Sequence, residues 1–168
     1  MSKATERVLY AFLHRSERPQ VGCNEYIAAM RPLLWAEMFT PREKRFLESN
    51  ELCRIATISE DNSPHLVPVC YIFKDGFFYI VSDLETKKVK NLMRDKRIAL
   101  LVDQYKPNKA VLVSGEAEVI TMGDEFRSIS QEFFKKFLWA RRDKWGEGEV
   151  AIIKVNPLRR TSWGLGKG

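Results

Sequence analysis

The chain has little cysteine, little histidine and no long apolar run, and each shortage removes a class of protein. Its three cysteines, Cys23, Cys53 and Cys70, are odd in number and widely spaced. They fit neither a disulfide framework nor a zinc site and read as free thiols. The two histidines, His14 and His65, stand apart from other metal-ligating side chains, so no metal is expected. No apolar stretch approaches the length of a membrane span. Near the N-terminus, "VLYAFL" is too short and too closely flanked by charge for a secretory leader. A cytoplasmic protein without a membrane partner is expected. The patterns GxGxxG and GxxxxGKS/T are also missing, which argues against Rossmann and P-loop nucleotide sites.

What is present is ordinary globular material. The 168 residues are 45% hydrophobic and 30% charged, enough for one domain with a sizeable core. The net charge of +6 comes from basic residues spread along the chain and mixed with acids. No arginine-rich arm or aromatic-basic stripe marks a nucleic-acid surface. An anionic small molecule is the better partner.

The first 38 residues read differently from the rest. "TERVLYAFLHR", with Val8, Ala11 and Phe12 in helical spacing, and "NEYIAAMRPLLWAEMF", interrupted by Pro32, form a helical extension over 1–38. It packs on the domain or on a partner subunit, or is poorly ordered. The main domain, 39–168, opens with "TPRE", a hydroxyl cap followed by proline and glutamate, so "PREKRFLESN" is a short helix.

Strand patterns follow at 52–59, at 65–73 ("HLVPVCYIF") and at 77–82, the last two joined by the turn "KDG". A helix carries Val89, Leu92 and Met93 on one face, and "RIALLVDQ" (97–104) is a central strand. Gly115 interrupts the long strand 109–120, as glycine does where a strand bends at a barrel corner. A second helix aligns Phe126, Ile129, Phe133 and Phe137 before a last strand, 150–155, that "NP" ends. Six antiparallel strands with helices in this order predict a mainly β fold, a barrel with helices at its rims.

Two places carry chemistry. In "SDLETKKVKN" (82–91) a hydroxyl, an acid, a threonine and three lysines follow the apolar run "GFFYIV". The start of a helix offers unsatisfied N–H groups and the positive end of its dipole, and Ser82, Thr86 and Lys88 are donors suited to phosphate. The competing reading is a plain N-cap at Thr86 with solvated lysines. Asp83 and Glu85 oppose an anion there unless they point away. In "VPV" (67–69), Pro68 removes a ladder donor from an apolar strand. It marks an edge or a bulge, either for protection or to leave main-chain groups such as the Val69 N–H to a ligand.

"RIATISEDNSPHLVPVCYIF", "SDLETKKVKNLMRDKRIALLVD", "VSGEAEVI" and "SWGL", in this order and spacing, resemble the pyridoxamine 5′-phosphate oxidase-like split-barrel family from about Phe39 to Leu165. The resemblance implies a six-stranded antiparallel split β-barrel of the FMN-binding type. It also implies a homodimer with the cofactor, FMN or a deazaflavin coenzyme, in a cleft shared between subunits.

Residue by residue, it implies that Ser82 and Lys88 hold the cofactor phosphate, with Thr86 and Lys87 at the positions of a serine–arginine pair. The strand containing Val67, Pro68 and Val69 lines the ring. Arg54, Ala56 and Thr57 flank it, Thr57 either reaching a ring carbonyl or serving as a core threonine. Trp163 and Leu165 cover the ring from the partner subunit or simply dock the tail, and Gln104 and Tyr105 face the cleft or form a turn.

The implied chemistry is hydride transfer at the cofactor ring to or from an unidentified small molecule, with no dedicated acid or base. A non-catalytic FMN- or haem-binding protein is the alternative on this fold, haem needing His65 or Tyr71 as axial ligand. An unrelated basic protein that binds nucleic acid is the third reading. The tail "RRTSWG" lacks the arginine-x-histidine pair and the "EFW" segment of true pyridoxamine phosphate oxidases, and Ala110 falls near their flavin-contacting glutamine. Oxidation of vitamin B6 phosphates is therefore not expected.

Overall fold

The computed structural model describes residues 38–166, all in one compact unit. The expected helical extension, including Val8, Ala11, Phe12 and Pro32, lies outside the described residues. Helix α1 (Pro41–Ser49) starts as its sequence dictates. The Thr40 side chain accepts from the Glu43 N–H, the Glu43 carboxylate accepts from the Thr40 N–H at 2.7 Å, and Pro41 opens the first turn.

Strands β1 (Leu52–Ile58), β2 (Pro64–Cys70), β3 (Ile72–Lys74) and β4 (Phe77–Asp83) follow, then helix α2 (Lys87–Arg94) and strands β5 (Arg97–Gln104) and β6 (Lys109–Ile120). Helices α3 (Asp124–Lys136) and α4 (Leu138–Arg142) precede strand β7 (Val150–Trp163). All pairings are antiparallel and the sheet order is β2-β1-β5-β6-β7-β4-β3. The fold is a curled, mainly β half-barrel with flanking helices, of seven strands rather than the expected six.

The extra strand comes from "HLVPVCYIF". It divides at Tyr71, so that β2 pairs with β1 at one edge of the sheet and β3 pairs with β4 at the other. This division forces the curl. Laid flat, seven strands span about 29 Å at roughly 4.8 Å per neighbour, and the single residue Tyr71 reaches across no more than about 7 Å. The two edges therefore meet at Tyr71, which is fully buried and donates its phenol O–H to the Leu47 carbonyl on α1 at 2.6 Å. The turn joining β3 to β4 is the expected tight one, with Asp75 and Gly76 both at positive φ (52° and 86°).

The last strand also differs from expectation. It runs through "NP" to Trp163 because the sheet has a register shift at Ser114/Gly115, opposite Pro157. A bulge tolerates a residue without an N–H. Gly115 makes it possible, since a Cβ there would lie 2.1 Å from the Asn156 carbonyl oxygen.

Two apolar clusters result. One fills the barrel with Ile55, Phe78, Ile80, Leu100, Val113 and Ile153 among others. The second packs α3 and α4, through Phe126, Ile129, Phe133 and Phe137, on the outer side of β4 and β7 at Tyr79 and Ile152. In α2, Val89 and Leu92 are buried but Met93 is exposed. The inward position is taken by Asn91, whose amide donates to the Thr57 hydroxyl at 3.0 Å and turns the helix.

Candidate functional site

Strand β4 alternates, so Phe78, Ile80 and Ser82 face the barrel interior and Asp83 ends the strand outside. Three residues later Thr86 is the N-cap residue of α2. Its side chain does not cap the helix. Instead the Thr86 hydroxyl donates to the Asp83 carbonyl at 2.9 Å and lies 2.8 Å from the Ser82 hydroxyl. The Ser82 hydroxyl also reaches the Asp83 carbonyl, at 3.3 Å, so either hydroxyl can donate to the other. The first turn of α2 thus keeps N–H groups without a side-chain acceptor, next to two hydroxyls that only need to rotate to donate outward.

Lys88 stands on the same rim. Burial lowers its ammonium below the ordinary lysine value, and Asp83 pulls in the opposite direction. Of the two acids that could repel an anion, Glu85 pairs with Lys90 at 2.8 Å, and the Asp83 charge acts on Lys88 without an ion pair. Lys87 turns elsewhere, toward the β1–β2 turn, where its charge adds to the hydrogen bonds from Ser63 that hold the Asp61 carboxyl below its usual value. Ser82, Thr86 and Lys88 are therefore brought together, and Lys87 is not.

The strand candidates separate by face. Arg54 lies opposite Pro68 and Leu101, and Ala56 opposite Leu66 and Ala99, all on the outer face of the sheet, where Arg54 pairs with Asp103. Val67 and Val69 pack instead against the barrel core, and Thr57 is buried with Asn91. Pro68 is on an edge strand, so alternate main-chain groups of β2 point away from β1.

Trp163 is half exposed and anchored by its indole N–H to Asn108 at 3.1 Å, while Leu165 packs against the core. Gln104 donates to the Lys106 carbonyl within its turn, and Tyr105 is exposed beneath the Lys106 ammonium. Tyr71 is committed to Leu47, and burial raises its phenol far above the ordinary value, which removes it as an axial ligand or a proton carrier.

An open cleft of about 450 Å³ extends from Ser82, Asp83 and Lys88 to a facing wall of Trp139, Lys144 and Trp145. Sequence reasoning missed this wall. Its signal is the run "LWARRDKW", two tryptophans flanking three basic residues. Among the described residues no cluster of His, Cys, Asp and Glu is placed to hold a metal ion, and no helix is long and apolar enough to cross a membrane.

A profile of the pyridoxamine 5′-phosphate oxidase family matches residues 39–164, three quarters of the chain. The chain belongs to this family. A pyridoxine/pyridoxamine 5′-phosphate oxidase of Shewanella frigidimarina is 27% identical over 113 residues, covering 66% of this chain and 53% of that protein. The chain thus spans about half the length of that relative. A 5a,11a-dehydrotetracycline/5a,11a-dehydrooxytetracycline reductase of Streptomyces rimosus is 24% identical over 136 residues, 76% of this chain and 84% of that one.

Three solved structures show how varied the fold's contents are. A FAD-binding protein of Mesorhizobium loti superposes with a TM-score of 0.59 at 19% identity, covering 71% of this chain and 87% of the other. A haem-binding protein of Mycobacterium smegmatis gives 0.64 at 17% identity, covering 75% and 55%. An F420 reductase gives 0.56 at 16% identity, covering 70% and 94%. At these identities the likeness is one of fold.

The donor set at the start of α2 fits a phosphate-bearing cofactor. Two hydroxyls, a helix N-terminus without a side-chain cap and a half-buried ammonium are all hydrogen-bond donors or positive charge.

Proposed function

We propose that this chain is a cytoplasmic oxidoreductase that binds a flavin, FMN or the related deazaflavin coenzyme, and transfers a hydride to or from a small molecule while working as a homodimer. The observation that carries the reading is the meeting of Ser82, Thr86 and Lys88 at the uncapped first turn of α2. Family membership supports it. When bound, such a cofactor supplies the ring that accepts and delivers the hydride.

The chain's own residues hold, orient and shield. The Ser82 and Thr86 hydroxyls turn to donate to a phosphate oxygen, the α2 N–H groups donate alongside, and Lys88 meets the charge. Arg54, Ala56 and Pro68, on one outer face, offer a floor for a flat ring, and the edge of β2 offers main-chain groups to its polar rim. Trp163, fixed by Asn108, is the aromatic that a second copy would bring over that floor. With Tyr71 sealed in the core, no proton transfer is assigned to it. The tail's lack of an arginine-x-histidine pair keeps vitamin B6 phosphates out of the proposed substrates.

The first experiment is an absorbance spectrum of the purified protein, with mass spectrometry of whatever heat releases, followed by titration of the stripped protein with FMN and a deazaflavin. Lys88→Ala should weaken binding by about ten- to a hundredfold, the worth of one charge-assisted bond, without changing the melting temperature. A protein that binds neither cofactor, or a variant with unaltered affinity, ends the reading.

A further inference from the structure

The aromatic wall of the cleft takes no part in the phosphate seat and has a chemistry of its own. Phe133, Phe137 and Trp145 gather round the Trp139 indole at centroid distances of 6.4, 5.5 and 6.0 Å, yet Trp139 remains 46% exposed. Trp145 is fixed in turn by the bond from its N–H to the Ser130 hydroxyl at 3.0 Å. The indole is thus held in place with part of its ring open to the cleft, an unusual state for so large an apolar side chain. Cations already cover neighbouring rings: Lys136 stands over Phe137 at 5.3 Å and Lys144 over Phe134 at 5.8 Å. Among the described residues no cation stands over Trp139, although an indole is the ring that attracts one most strongly.

The charges around the indole set the sign of what it takes. Asp83, Asp143 and Glu149 line the cleft against Lys88 and Lys144. Asp83 is opposed by Lys88, on whose ammonium its charge acts, and Lys144 leans on Phe134. Asp143 and Glu149 remain, and neither makes an ion pair among the described residues. Glu149 is oriented by accepting the Gly146 N–H at 2.7 Å through one oxygen, which leaves the other. An added anion meets this excess of carboxylate and is repelled, whereas a cation is drawn in. The cleft volume of about 450 Å³ is that of a small-molecule site.

We infer that the cleft binds a small organic cation, an ammonium group on an apolar or aromatic body, with the body against Trp139 and the charge facing Asp143 and Glu149. The two kinds of wall act on the same ligand. The indole attracts the ammonium and shields the body from water, and the carboxylates accept its N–H bonds. The site stands apart from the phosphate seat, since Trp139, Asp143 and Glu149 hold no phosphate, and it fills without any cofactor bound.

Titration calorimetry and tryptophan fluorescence of the full-length chain with phenethylammonium, phenethyl alcohol and 3-phenylpropionate test this, because the three share a body and differ in charge. The ammonium should bind about tenfold more tightly than the alcohol, the combined scale of a cation over a ring and an exposed ion pair. The carboxylate should not bind, and raising the ionic strength should narrow the gap between the other two. Trp139→Ala should weaken ammonium binding about tenfold, and Trp139→Phe should restore most of it. Asp143→Asn combined with Glu149→Gln should bring the ammonium down to the affinity of the alcohol. Lys144→Ala should strengthen it severalfold, a gain that a loosened fold would not give.

Equal affinity for the ammonium and the alcohol overturns the inference and reduces the cleft to an apolar groove. Tighter binding of the carboxylate overturns it as well. So does a Trp139→Ala protein, or the doubly neutralised one, that binds the ammonium as wild type does. If none of the three ligands binds, the cation site falls, and the phosphate seat stands or falls separately on Lys88→Ala and FMN.

Discussion

Single atoms decide more of this molecule than its composition does. At Gly115 the missing Cβ leaves room for the Asn156 carbonyl, which would otherwise sit at 2.1 Å, and the opposing group is main chain that has no rotamer to yield. Gly115→Ala should therefore cost about 3 kcal/mol, the upper part of the overpacking range, read as a shift in the urea midpoint with an unchanged slope. At Tyr71 one phenol proton ties the meeting point of two sheet edges to α1. Tyr71→Phe keeps the ring and leaves the Leu47 carbonyl without that donor, a loss of about 1–2 kcal/mol by chemical denaturation.

Between elements, the most consequential link is Glu43. It starts in the sequence as the third residue of a capping box, but the structure gives it a second role. It is 2% exposed, and its carboxylate also accepts from Arg160 at 2.8 Å and Ser162 at 2.6 Å on β7, binding α1 to the end of the last strand. Burial by itself would raise its pKa. The hydrogen bonds from Ser162 and Thr40, with the Arg160 charge, outweigh burial and hold the carboxyl below its ordinary value of 4.5.

A depressed carboxyl contributes stability that is complete above the unfolded pKa and lost as pH falls through the folded one. Stability should thus hold from pH 7 to about pH 5 and decline below about 4.5 as Glu43 protonates. Glu43→Gln should lower the melting temperature at pH 7 and flatten that acidic decline. Calorimetry at both ends of the range checks it, and a variant with the wild-type pH profile would remove Glu43 from the account.

Across the whole molecule the asymmetry of covering matters. Helices α3 and α4 bury the outer side of β4 and β7. Among the described residues, the outer face of β2, β1, β5 and β6 is left with Leu66 64% exposed, Leu112 38% exposed and Ala56, Ala99 and Leu101 between them. This is the surface on which the proposed second copy would lie, and the proposed ring floor is part of it. Leu66→Asp together with Leu112→Asp should convert a dimer to a folded monomer in sedimentation velocity and weaken flavin binding in parallel. Wild-type protein that sediments as a monomer would remove the shared cleft.

Local signals in the sequence were enough for every element whose cause is local. The capping box at Thr40, the Asp75–Gly76 hairpin, the aromatic stripe of α3 and the hydroxyl-and-lysine start of α2 all depend on residues within a few positions of one another. What spacing could not convey was any contact between distant segments. That "HLVPVCYIF" serves two opposite sheet edges follows from curling, not from its alternation. That β7 passes through Asn156–Pro157 depends on Gly115, some forty positions earlier in the chain.

The site divides in the same way. Ser82, Thr86 and Lys88 were legible because four to six residues separate them across one strand–helix turn. Thr57 faced elsewhere because a neighbour remote in sequence, Asn91, donates to it inside the core. Trp139, Lys144 and Trp145 reach the cleft only because α4 packs beside the end of β4. Sequence alone determined which residues can donate, cap and turn, since those are properties of side chains and their near neighbours. Only the tertiary structure decided which of them face one another, because apolar burial and sheet closure set those distances across the whole chain.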